Sequence, residues 1–186
     1  MGTAALPLRV PFLHRCHAGS HGGGEAVNEK ETTGRVLELV PYGLYVLGSL
    51  NGSVPAAIVA NWVTQVSFSP PWVAIAVEAD SRMRENIARS GVFSVNLMPA
   101  GGRDVAKAFL KGPEAKGETI GGVGFAPAKN GTPFLLGATA SFECQVKNAL
   151  EVPDHLVFIG EVVDAVLRNG GGGVLTLRET GWHYTR

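Results

Sequence analysis

Residues 138–146, Ala-Thr-Ala-Ser-Phe-Glu-Cys-Gln-Val, alternate with a period of two. Ala138, Ala140, Phe142, Cys144 and Val146 fall on one face, and Thr139, Ser141, Glu143 and Gln145 on the other. That spacing predicts a β-strand with one buried face. The next apolar run, Leu156 to Leu167, is apolar on both faces and reads as a central strand. Beyond it, Asn169 to Gly173 is a glycine turn, and Val174–Leu177 and Trp182–Thr185 read as closing strands. Upstream, Val36–Val40 is a β run ending at Pro41, and Tyr42–Leu50 leads into the hairpin signal Asn51-Gly52-Ser53. Residues 54–67 form one strand stopped by Ser69-Pro70-Pro71; Val73–Val77 and Val92–Met98 are further strands. Two short helices are predicted. Ser81–Ser90 carries Met83 and Ile87 on one face, with Ser81 as N-cap and Gly91 as C-terminal glycine. Asp104–Lys111 is the second, and residues 112–133 read as a long loop. Many short strands with two helices make a mainly β barrel rather than a parallel α/β fold.

The chain has 186 residues, enough for one domain with its own core. Charged residues are 17% and hydrophobic residues 45%, which excludes a disordered chain. Sixteen basic and sixteen acidic side chains cancel. A neutral chain without a basic block is not a nucleic-acid binder, and its lack of net charge favours association. Cys16 and Cys144 are far apart, which excludes a disulfide scaffold or a Cys-rich zinc site. No apolar run reaches membrane-spanning length, and Pro7, Arg9 and Pro11 interrupt the N-terminal stretch where a signal peptide needs an apolar core. The expectation is a cytoplasmic protein with no membrane contact. Residues 1–34, with His14, His17, His21 and Gly22-Gly23-Gly24, read as a flexible N-terminal arm, and no metal site is assigned to it.

Nucleotide and nucleophile signatures are missing: no glycine-rich dinucleotide fingerprint, P-loop or GxSxG is present. Outside the arm the only imidazoles are His155 and His183. Chemistry on this chain therefore calls for a bound cofactor. Asp80-Ser81-Arg82-Met83-Arg84 opens a helix and suits a phosphate, with free backbone N–H groups, a hydroxyl and two guanidiniums. The same residues also read as an ordinary capped helix with two solvated arginines. Asn61-Trp62-Val63-Thr64-Gln65-Val66-Ser67 puts amides and hydroxyls into an apolar strand. They suit a flat heteroaromatic ligand stacked on Trp62, or an edge strand facing water. Asp154-His155 is either a structural pair or a catalytic one.

In sequence order, Asn61-Trp62-x-Thr64-Gln65-x-Ser67-Phe68-x-Pro70-Pro71, Asp80-Ser81-Arg82, Ser90-Gly91-x-Phe93-x-Val95-Asn96, Phe142-Glu143-Cys144 and Asp154-His155 followed by Gly160-Glu161-Val162 resemble the flavin reductase-like family. The resemblance covers nearly all of residues 35–186. It implies a split β-barrel of Greek-key-like connectivity that binds FMN or FAD as a homodimer, with the flavin near the interface. It implies hydride transfer from NADH or NADPH to flavin N5, with a monooxygenase or another redox protein as partner. Carried over, Asn61, Trp62, Val63 and Thr64 would contact the isoalloxazine and ribityl chain. Ser67, Ser81, Arg82 and Arg84, with Met83 among them, would hold the phosphate end. His155 would stand near the flavin or nicotinamide as the catalytic residue, and Trp182 and Tyr184 would border the site. Pro153 stands where the family usually has glycine before Asp-His. The same family implies a second reading, an FMN-binding electron carrier without nicotinamide activity of its own.

Overall fold

The computed structural model describes residues 29–168 and 172–184. The expected arm up to residue 28, with its three histidines, and residues 169–171 of the glycine turn lie outside them. The chain opens with α1 (Glu29–Leu37), then β1 (Tyr45–Asn51), β2 (Val54–Ala60), β3 (Val63–Phe68), β4 (Pro71–Glu78) and α2 (Arg82–Ser90). β5 (Val92–Leu97) and α3 (Arg103–Lys107) follow, then the short strands β6 (Ala115–Lys116), β7 (Thr119–Ile120), β8 (Val123–Pro127) and β9 (Pro133–Leu135). The long hairpin of β10 (Ala140–Glu151) and β11 (His155–Leu167) and the turn-length α4 (Leu177–Thr180) complete the described chain. The protein is mainly β, as its alternation predicts.

The strands form two antiparallel sheets, one ordered β2-β1-β5-β10-β11-β4-β3 and a smaller one ordered β6-β7-β8-β9. β2 and β3 are the two outer edges of the large sheet, yet only Asn61 and Trp62 separate them in sequence. Three residue steps span at most about 11 Å, so the sheet must curl until its edges nearly meet. They are not hydrogen-bonded to each other, so the sheet is not closed along this seam.

Two apolar clusters fill the molecule. Val46 and Leu47 are neighbours in β1 and point to opposite faces, one into each cluster. Leu47, Ile75, Phe93 and Phe158 pack inside the curl with Met83 and Ile87 of α2. Val46, Met98, Phe109, Ile120 and Leu135 pack between the large sheet, α3 and the small sheet. Gly160 lies where β11 passes β10 and β5. An added Cβ there would sit 2.7 Å from Cys144 Cβ and 2.8 Å from Phe93 Cε1, so no larger residue fits.

Several boundaries differ from expectation. Val36–Val40 is not a strand: α1 reaches Leu37 and a turn follows, because β1 already has β2 and β5 on its two edges. The single strand read over 54–67 is broken at Asn61-Trp62 into β2 and β3. The loop read over 112–133 contains β6, β7 and β8, held by turns with glycines such as Gly117 and Gly121 at positive φ. The second helix is Arg103–Lys107 rather than Asp104–Lys111, because the backbone tightens to i→i−3 bonds from Ala108 and Phe109. Among the described residues neither closing strand forms. Val174 and Thr176 make single bridges, to Pro99 and Gly43. Thr176 then caps α4 with Glu179 in a reciprocal capping box. The described residues thus carry four helices where two were expected.

Candidate functional site

The predicted N-cap is present. Ser81 has extended backbone, and its hydroxyl accepts from the Arg84 N–H at 3.1 Å. Gly91 ends α2 in the left-handed conformation, φ 71°, with its N–H donating to Ile87 C=O at 2.9 Å. Around this helix start lie two adjoining cavities that share Ile58, Ser81 and Leu110 as walls. The larger, about 480 Å³, is mostly apolar and receives Asn61, Glu78, Trp182, His183 and Tyr184. The smaller, about 270 Å³, receives Arg82, Asn86 and Lys111 together with Asp80 and Glu114. Asn61 and Asn86 are buried, and neither side-chain amide forms a hydrogen bond among the described residues. The one buried side-chain polar atom without a partner among the described residues is Trp72 Nε1, so these two amides reach solvent through their cavities and are open to a ligand there.

At the rim of the larger cavity, the end of β4 meets the start of β11. Glu78 and His155 are directly opposite in the antiparallel register. His155 is 4% exposed. Its Nδ1 lies 2.7 Å from Asp154 Oδ1 and its Nε2 3.0 Å from the Tyr184 hydroxyl. That hydroxyl donates to Glu78 Oε1 at 2.8 Å. Trp62 packs on this group, 4.6 Å from the His155 ring centroid and 5.5 Å, edge to face, from Tyr184. Pro153 does not prevent the Asp-His pair: Val152 N–H donates to His155 C=O at 3.0 Å and closes the tight turn around it.

The expected site residues therefore separate into three groups. Asn61, Ser81, Arg82, Met83 and Tyr184 line the cavities. Trp62 and His155 stand behind Tyr184, and His155 lines neither cavity. Val63, Thr64 and Ser67 lie on the edge strand β3 and also line neither. Thr64 is exposed, its hydroxyl reaching only the neighbouring Gln65 C=O at 3.4 Å. Arg84 turns back to donate from Nε to Ala79 C=O at 3.0 Å, so the arginine that faces the smaller cavity is Arg82. Sequence reasoning missed Glu78, Asn86, Lys111 and His183. Asn86 was within reach, four residues after Arg82 on one helix face. Lys111 and Glu78 carry no local signal, since chain folding alone brings them here.

Cys144 is the one cysteine among the described residues. Burial, with the neighbouring Glu143 carboxylate adding to it, pushes its thiol up to about 12, which removes it as a nucleophile. No helix among the described residues is long and apolar enough to cross a membrane.

The family model described as a flavin reductase like domain matches residues 37–184. A putative diflavin flavoprotein of a Nostoc species is 31% identical over 160 residues, which are 85% of this chain and 27% of that protein. The chain thus spans about a quarter of the length of such diflavin relatives. An NADH-dependent FAD reductase of Streptomyces globisporus is 33% identical over 135 residues, 70% of this chain and 72% of that protein. The solved structure of the Streptomyces globisporus NADH:FAD oxidoreductase superimposes with a TM-score of 0.72 at 27% identity, covering 89% of this chain and 99% of that one. The styrene monooxygenase flavin reductase of Pseudomonas putida gives 0.66 at 27% identity, covering 80% and 93%. With the family model covering most of its length, this chain belongs to the flavin reductase-like domain family.

Proposed function

We propose that this chain is an NAD(P)H-dependent flavin reductase that holds FMN, or FAD in its place, across the two adjoining cavities. One observation carries the reading. Asn61 and Asn86, whose side-chain amides make no hydrogen bond among the described residues, line neighbouring cavities, one mostly apolar and one with Arg82 and Lys111 beside Asp80 and Glu114 at a helix start. An apolar slot beside a polar pocket that offers a guanidinium, an ammonium and a helix start suits a flat ring joined to a phosphate. When bound, the flavin supplies the two-electron chemistry, accepting hydride from the nicotinamide at N5, so no nucleophile or acid–base dyad is required of the protein. The chain's own residues bind and orient. Asn61 offers its amide to polar ring edges in an apolar setting. Arg82 and Lys111 offset the phosphate charge beside the helix start that Ser81 caps. Tyr184, backed by Trp62 and His155, forms the rim where the nicotinamide would enter and water would be displaced.

The open seam between β2 and β3 supports the split-barrel description. A homodimer belongs to the same proposal. Val73, Ile75 and Val77 point into the core, so Ala74 and Ala76 of β4, with Ile159 and Val157 opposite them on β11, form the outer face. That face is apolar and half-buried, and it is bordered by Leu150, which pairs with Val157 and is 61% exposed. Relatives named as the flavin reductase of a styrene monooxygenase and as the flavin reductase component of a two-component tryptophan halogenase support a monooxygenase as consumer of the reduced flavin. The diflavin relatives, in which such a domain is about a quarter of the protein, favour one competing reading, an electron-transfer unit fed by another protein.

An anaerobic absorption spectrum of the FMN- or FAD-supplemented protein, before and after NADH and then NADPH, tests the proposal. Rapid bleaching of bound flavin by either nucleotide is expected. Flavin that binds but is bleached by neither nucleotide leaves the electron-carrier reading.

A further inference from the structure

The geometry points to Asn51 as a positioning residue that holds the Glu114 carboxylate off Lys111, leaving the Lys111 ammonium free for a phosphate in the smaller cavity. Two cations, Arg82 and Lys111, and two acids, Asp80 and Glu114, line that cavity. Opposite charges in one pocket attract, yet neither cation forms an ion pair among the described residues. For Glu114 the reason lies at the hairpin between β1 and β2. Asn51 closes β1, and its Nδ2 donates to Glu114 Oε1 at 2.9 Å. The amide thus occupies one carboxylate oxygen from outside the cavity, since Asn51 is not among the lining residues.

Lys111 and Glu114 are fixed by different means. The backbone on either side of Lys111 is docked on the outer edge of β2: Val59 N–H donates to Phe109 C=O at 3.4 Å and Ala57 N–H to Pro113 C=O at 3.0 Å. The fully buried Phe109 side chain anchors the same stretch in the second apolar cluster. None of these contacts involves Asn51, so Lys111 keeps its place without it. The Glu114 carboxylate, by contrast, has the Asn51 amide as its one hydrogen-bond partner among the described residues. Lys111 stands three residues before Glu114 and walls the same cavity. Without the amide, the carboxylate is released toward this unpaired ammonium. An incoming phosphate must then displace Glu114 before it can reach Lys111. The consequence for FMN rests on the phosphate reading of this cavity; the state of Lys111 does not.

The test uses the full chain as wild type, Asn51→Ala, Glu114→Gln and the Asn51→Ala/Glu114→Gln double variant. Asn51 is exposed, so its truncation leaves the core untouched. The first readout needs no flavin: the rate at which an amine-acetylating reagent modifies Lys111, followed by peptide mass spectrometry with exposed Lys116 as internal reference. An ion pair favours the ammonium, and only the neutral amine is acetylated. Asn51→Ala should therefore slow Lys111 modification about twofold to fivefold, the worth of an exposed ion pair. The double variant has no carboxylate to release and should react like Glu114→Gln alone. The second readout is a fluorescence titration with FMN and with riboflavin, which lacks the phosphate. Asn51→Ala should weaken FMN binding about twofold to fivefold and leave riboflavin unchanged, and it should change neither when Glu114→Gln is already present. Unchanged Lys111 reactivity in Asn51→Ala, a double variant as slow as Asn51→Ala, or riboflavin weakened as much as FMN overturns the assignment. A wild type that binds FMN no tighter than riboflavin sinks the phosphate reading alone, and Lys111 modification still decides the role of Asn51.

Discussion

Glu143 is a carboxylate with no exposed surface, and four donors converge on it. Asn130 gives its backbone N–H at 2.8 Å and its Nδ2 at 2.9 Å; Thr132 gives its N–H at 3.2 Å and its hydroxyl at 2.6 Å. A buried charge is tolerable only when it is satisfied in this way. Nearby, Asn96 works similarly: its Nδ2 donates to the carbonyls of Val46 and Pro133, and its Oδ1 accepts from Leu135 N–H and the Ser141 hydroxyl. Together these two residues bind the 130–135 segment to the large sheet. Glu143→Ala strands buried donors, each costing about 1–3 kcal/mol, so the variant should lose at least about 3 kcal/mol of stability. A urea midpoint indistinguishable from wild type would refute this. The alternation over 138–146 put Glu143 and Ser141 on the polar face, and both are in fact buried. A period of two separates the faces of a strand without telling whether the second face is covered. Here β9 and its preceding turn cover it.

At the scale of elements, α2 is the part most fully written in local sequence. Its N-cap, its C-terminal glycine and the inward face of Met83 and Ile87 all form as spaced. Its first turn also divides two arginines that look alike in sequence. Arg82 faces the smaller cavity, whereas Arg84 is committed to the Ala79 carbonyl. Under the proposed phosphate role, Arg82→Ala should weaken FMN binding about fivefold to tenfold, the worth of a part-exposed charge-assisted bond. Arg84→Ala should change affinity less than about twofold, on the same scale of one hydrogen bond. Quenching of FMN fluorescence on titration with protein measures both. Equal losses in the two variants would mean that the turn, not the guanidinium of Arg82, holds the phosphate. α4 was legible too: Thr176-x-x-Glu179 is a capping box, and the apolar residues around it favoured a strand reading.

On the scale of the whole molecule, the curl of the large sheet matters most. It brings β2 and β3 together at the seam, seats Asn61 there, and turns the outer face of β4 and β11 outward as an apolar surface. If that surface joins two copies, Leu150→Asp at its border should convert a dimer to a monomer by placing a charge in an apolar contact. Sedimentation velocity reads the outcome. Because Leu150 is 61% exposed in the single chain, the substitution should leave the fold intact. A wild type that sediments as a monomer, or a variant dimer as tight as wild type, removes the dimer from the proposal.

Local sequence by itself determined the mainly β class, most strand positions, the capped helix α2 and the family. Each of these depends on residues close in the chain, or on motifs whose order survives without coordinates. Tertiary structure alone decided that Lys111 faces Arg82 across a cavity, that Glu78 stands opposite His155, and that Glu143 is buried. Register and burial of this kind arise when distant segments close on one another. A pattern with period two is blind to them, because it names the faces of a strand and not what each face will meet.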